Sequence, residues 1–128
     1  MVYWRAVMKF NPKLQSYIFA LNTRDRLGDL CAIMEFCSVQ PIELKGYWKG
    51  VPERSFQVDA RFINVDAMFE VLTRYGQDAF LYISQSGTTY QCNVERSDEA
   101  LGKMVQIPHQ VASCTYCITT ETYWSTHP

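Results

Sequence analysis

The residues of this chain best equipped for chemistry lie together between Glu43 and Asp59: Tyr47, Trp48 and, a few positions on, Glu53. A carboxylate and large aromatic faces gathered in one place attract a cationic guest, by charge pairing and by cation–π attraction. The stretch reads Glu-Leu-Lys-Gly-Tyr-Trp-Lys-Gly-Val-Pro-Glu-Arg-Ser-Phe-Gln-Val-Asp. Two alternating apolar runs flank a connector holding Gly50 and Pro52, which predicts a strand, a turn and a strand. The same pattern suits a solvated hairpin whose aromatics pack on the core, and local pattern alone leaves both readings open.

Other chemistries are poorly supplied. No G-x-S-x-G, P-loop or G-x-G-x-x-G fingerprint occurs, so the usual hydrolase, nucleotide-kinase and dinucleotide signatures are missing. Of the two histidines, His127 is penultimate, and a Ser/His or Cys/His pair would have to rest on His109 beside Pro108. Cys114-Thr-Tyr-Cys117 has C-x-x-C spacing, yet a structural zinc site needs four ligands and no second matched pair exists. The reading is no metal and no cofactor, with Cys114 to Cys117 lying in a β-strand among Val, Ile, Thr and Tyr. A reaction carried by such a chain rests on positioning and electrostatics, with little proton transfer by side chains.

The elements that must position these residues can be read in order. Val2 to Phe10 predicts a first strand, ended by Asn11-Pro12, and Tyr17 to Leu21 is a second apolar run. Asn22-Thr23 with Asp25 signals a helix start, and Leu27, Leu30, Ile33, Met34 and Cys37 recur at helical spacing over about residues 23–38. Ile42 to Trp48 and Arg54 to Ala60 predict the two strands of the hairpin. Asn64 or Asp66 caps a second helix with Met68, Val71, Leu72 and Tyr75 as its stripe, and Gly76 fits the left-handed position after it. Gln77-Asp78 leads into the strand Ala79 to Ile83, Ser84 to Gly87 makes a turn, and Thr88 to Glu95 returns. A polar loop at 96–99, a short strand near Lys103 to Ile107, a last strand from Ser113 to Thr120 and a frayed tail complete the expectation. The order strand, helix, strand, strand, helix, strand is that of a ferredoxin-like split β-α-β antiparallel sheet, an α+β fold with both helices on one face and extra C-terminal strands. The other face is left free for a partner.

At 128 residues the expectation is one domain, 1–128. A net charge of −1 with no Lys/Arg cluster argues against nucleic-acid binding. No apolar run approaches the ~18 residues of a membrane span, and no signal-peptide core is evident at the N-terminus. Five scattered cysteines suit a reducing cytosol. Eight tyrosines are more than one small core usually hides, which favours an oligomer or a ligand cleft. Tyr116, Tyr123 and Trp124 fit either use.

Several short motifs, in one order and register, resemble those of the small bacteriophage S-adenosylmethionine lyases, long called SAM hydrolases. They are Glu43-Leu-Lys-Gly-Tyr-Trp, Glu53-Arg-Ser-Phe-Gln-Val, Tyr75-Gly-Gln-Asp-Ala-Phe-Leu-Tyr-Ile-Ser-Gln and Leu101-Gly-Lys-Met-Val-Gln-Ile-Pro, spread over roughly residues 42–124. The resemblance implies a ferredoxin-like subunit in a homotrimer with ligand at the subunit interfaces, working in the host bacterial cytoplasm. It implies cleavage of S-adenosylmethionine to methylthioadenosine and L-homoserine lactone, depleting the host's methyl donor and so countering restriction. Glu53 matches the family's essential Glu and takes the ammonium-orienting role. Tyr47 is expected as its catalytic companion, and Trp48, Ser55, Gln77 and Asp78 as substrate-binding residues. The family's turn reads Gly-x-Tyr whereas this chain has Gly46-Tyr47-Trp48, so either Trp48 or Tyr47 takes the tyrosine's place. A one-residue shift on a strand reverses the face. A non-catalytic protein that binds a nucleotide-like metabolite or a host enzyme is the alternative reading.

Overall fold

The structure is a computed structural model and describes residues 9–93 and 97–128. Its strands are β1 (Ser16–Ala20), β2 (Ile42–Trp48), β3 (Val51–Asp59), β4 (Ala79–Ile83), β5 (Thr88–Asn93), β6 (Asp98–Ile107), β7 (Cys114–Cys117) and β8 (Thr122–His127). Two helices, α1 (Arg26–Ile33) and α2 (Val65–Arg74), join β1 to β2 and β3 to β4. The predicted ferredoxin-like α+β sheet is not what forms. The strands close into an antiparallel barrel in the order β1-β3-β2-β7-β8-β6-β5-β4, so no sheet face stays open in the way expected.

The reason lies in the C-terminal third. Instead of a polar loop and a short strand, residues 98–107 make one strand with a bulge: Thr89 pairs with Gly102 and Tyr90 with Ala100, leaving Leu101 unmatched. Gly102 has φ of 96°, a conformation open to glycine. A bulge of this kind bends its strand. Here the first half of β6 pairs with β5 and the second half with β8. The predicted frayed tail is β8, paired with both β6 and β7, and β7 pairs with β2. These three strands join β5 to β2 and satisfy the backbone groups of two edges that an open sheet would expose.

Alternation along the strands builds two cores. Phe19, Phe56, Val58, Phe80 and Cys92 face outward onto Ala32, Ile33 and Phe36 of the α1 region and Met68, Val71 and Leu72 of α2. Each fully buried side chain of this size contributes about 1.5–3 kcal/mol of transfer free energy. Ile18, Leu44, Ile83, Met104 and Cys117 face inward, with Phe10 and Trp124 packed at 5.4 Å between ring centroids. One end of the barrel is stoppered by the 10–16 segment. Gln57, fully buried, accepts from the Asn11 amide at 3.0 Å and donates to the Asn11 carbonyl at 2.7 Å and Ser16 Oγ at 2.9 Å.

The helices are shorter than their patterns. Asp25 caps α1 by accepting from Gly28 N, and regular helix ends at Ile33 although the apolar spacing runs to Cys37. Asn64 is the α2 cap, accepting from Ala67 N, and Gly76 follows with φ of 73°. The strand expected over Val2 to Phe10 lies, up to residue 8, outside the described residues, as do residues 94–96 at the end of the expected Thr88–Glu95 strand.

Candidate active site

The unstoppered end of the barrel opens into a cavity of about 610 Å³. Glu53, Tyr47, Trp48, Ser55, Gln77 and Asp78, all six site residues expected from the sequence, line it. Strand pairing decides how each is presented. Gly46 stands opposite Glu53, Leu44 opposite Ser55 and Trp48 opposite Val51, so Leu44, Gly46, Trp48, Glu53 and Ser55 share one face. Leu44 belongs to the interior core, which makes that face the luminal one. Tyr47 also lines the cavity but falls on the other face of the strand with Lys45, whose Nζ lies 5.4 Å from its ring centroid. Of the two candidates for the aromatic beside Glu53, the geometry favours Trp48.

The Glu53 side chain makes no hydrogen bond or ion pair with another described residue. Burial alone holds its carboxyl above the usual carboxylate value. With Gly46 across from it, no side chain fills the space on the facing strand; a Cβ there would sit 3.2 Å from Ser55 Cβ. An unpartnered, partly desolvated carboxylate on the same face as an aromatic ring is suited to a cation. Ser55 is buried and its hydroxyl donates to the Phe19 carbonyl at 3.2 Å, which fixes β3 to β1. Gln77 and Asp78 come from the connector after Gly76, where Gln77 N donates to Leu72 O at 2.9 Å.

Glu53 is held in place by its neighbour in sequence. Arg54 N donates to Asn22 Oδ1, its carbonyl accepts from Leu21 N, and its guanidinium pairs with fully buried Asp29. Asp29 Oδ1 also accepts from Thr23 N at 2.8 Å and Thr23 Oγ1 at 2.7 Å. The β1–α1 turn and the start of β3 are thus latched together.

The sequence reading passed over Lys49, Gln91, Asn93 and Thr115, which also line the cavity. For Gln91 and Asn93 the signal was present: Thr89, Gln91 and Asn93 alternate with Tyr90 and Cys92, and in a barrel the polar set faces inward. Trp124 lines the cavity too, whereas the rings of Tyr116 and Tyr123 pack outside, tilted, with centroids 4.7 Å apart. Cys114 and Cys117, three apart on a strand, point to opposite faces.

The model of the S-Adenosylmethionine lyase family matches residues 20–127, a span that contains strands β2 to β8 and every residue named above at the cavity. The chain belongs to this family. No individual curated relative matches it, so the family model carries the assignment. Its activity is that of an S-adenosylmethionine lyase. No helix among the described residues is long and apolar enough to cross a membrane.

Proposed function

We propose that the chain cleaves S-adenosylmethionine to methylthioadenosine and L-homoserine lactone, with Glu53 holding the α-ammonium and Trp48 facing the sulfonium. The observation that carries this reading is the unpartnered, desolvated Glu53 on the same luminal face as Trp48. The substrate's carboxylate oxygen attacks its own Cγ and the Cγ–S bond breaks. The electron pair goes to sulfur, so the sulfonium leaves as a neutral thioether. No general acid and no enzyme nucleophile is needed. The protein's part is to fold the methionine moiety into a near-attack shape and keep water away. Gln77 and Asp78 bind from the rim and Ser55 supports the floor.

Tyr47 we assign to subunit contact and not to the chemistry. It shares the outer face of β2 and β7 with Tyr116, whose ring packs against Tyr123, and helices α1 and α2 cover the other flank of the barrel. Uncovered aromatic surface of this kind supports a homotrimer with the ligand near the subunit boundaries. The working context is an infected bacterial cytoplasm, where loss of the methyl donor starves restriction systems that depend on it. Neither nucleic acid nor membrane enters this reading. Incubation with S-adenosylmethionine and mass spectrometry of the products tests it. Methylthioadenosine with homoserine lactone over many turnovers is expected. Homoserine from the outset would make water the nucleophile, and the absence of product would overturn the reading. Light scattering should give the mass of three chains.

A further inference from the structure

Lys49 is the single Lys or Arg among the described residues lining the cavity, against two carboxylates, Glu53 and Asp78. It makes no ion pair with any described residue; its Nζ lies 5.7 Å from the centroid of the Trp48 ring. Its backbone is unusual as well. Lys49 and Gly50 form the two-residue turn between β2 and β3, with φ of 51° and 83°. Two positive φ values in succession mark a type I′ turn, whose first place is suited to Asn, Asp or Gly and not to a long side chain. The turn is held from outside: Lys49 N donates to Ser113 Oγ at 3.3 Å and Gly50 N to Ala112 O at 2.7 Å. A left-handed non-glycine residue kept in place by surrounding hydrogen bonds at a site is a pointer to function.

We propose that Lys49 binds the α-carboxylate of the substrate and is the specificity determinant for the amino-acid head. This rests on the reading above. A zwitterionic head needs one partner of each sign, and the cavity supplies them from one hairpin: Glu53 on β3 for the ammonium, Lys49 in the turn after β2 for the carboxylate. Holding both ends fixes the rotation about the bonds between them, and so the direction from which the carboxylate oxygen meets Cγ. Because Lys49 lies in the turn and Glu53 just beyond it, the spacing of the head they accept is set by that turn.

The test uses two unreactive probes. S-adenosylhomocysteine keeps the amino-acid head, and methylthioadenosine lacks it. Lys49→Asn keeps a residue that tolerates the turn and removes the charge; Lys49→Arg keeps the charge. Titration calorimetry should show Lys49→Asn weakening S-adenosylhomocysteine by roughly tenfold or more, the scale of a hydrogen bond to a charged group. Methylthioadenosine affinity should stay unchanged, and Lys49→Arg should restore most of the loss. The KM for S-adenosylmethionine should rise in parallel. Equal weakening of both probes would make Lys49 a structural turn residue and overturn the proposal, as would wild-type affinity for S-adenosylhomocysteine in Lys49→Asn. If wild-type protein neither cleaves S-adenosylmethionine nor binds either nucleoside, the functional reading itself fails. Normal wild-type turnover with an unchanged Lys49→Asn variant sinks the Lys49 assignment alone.

Discussion

At the scale of single residues, the site sets function against stability. Burial raises the pKa of Glu53 in the folded state, so the fold binds that proton more tightly than the unfolded chain does. The ionised form therefore weakens the fold at neutral pH, and the penalty fades as pH falls through the raised value. Glu53→Gln should abolish turnover yet raise the melting temperature slightly at pH 7, with the gain shrinking in acid; calorimetric scans at several pH values check this. For the same reason the acid limb of kcat/KM should lie above the ordinary glutamate range. Trp48→Ala should raise KM about two- to fivefold, the scale of a cation–π contact at an exposed site, since Trp48 is 47% exposed. Tyr47→Phe should leave kcat near wild type, because Tyr47 lies across the strand from Glu53's face. Steady-state kinetics separates the two aromatics.

At the scale of elements, the latch between the β1–α1 turn and β3 makes a prediction of its own. Asp29→Ala removes a fully buried carboxylate and leaves Arg54 unpaired. Breaking such a pair costs about 3 kcal/mol, the low end of the usual range, since the Arg54 side chain is 40% exposed and can rehydrate. Urea unfolding should show a lower midpoint with the slope unchanged. The elements themselves were legible where one residue type settles the matter. Gly76 after α2, Gly87 in the β4–β5 turn and the alternation of Phe56 and Val58 all follow from local chemistry, which also narrowed the α2 cap to Asn64 or Asp66. The end of α1 was not, because Met34 to Cys37 keep helical apolar spacing while forming a turn. Nor was β8, whose Thr-Tyr-Trp-Ser-Thr-His is amphipathic only in the sense a barrel gives it. The hairpin carrying the site was readable; which of Tyr47 and Trp48 faces Glu53 required the strand pairing.

At the scale of the whole molecule, closure depends on one glycine. A Cβ on Gly102 would run into the His127 carbonyl, and its φ of 96° disfavours any other residue. Gly102→Ala should therefore cost far more than the ~1 kcal/mol of an ordinary glycine substitution, read as a large fall in melting temperature. Nothing local announces this role, since the clash is with backbone 25 positions away. The order of closure also bears on how the chain reaches its fold. Strands β1 to β5 pair among themselves and use only residues 16–93. The strands that cover the outer edges of β2 and β5 come last in the sequence. During synthesis at about 5–20 residues per second, those two edges stand bare until the last strands emerge. Bare antiparallel edges recruit other chains. The vulnerable moment of this molecule is thus its own birth: lower growth temperature, slower initiation or a chaperone that shields strand edges should raise the soluble yield, with no change in the finished protein.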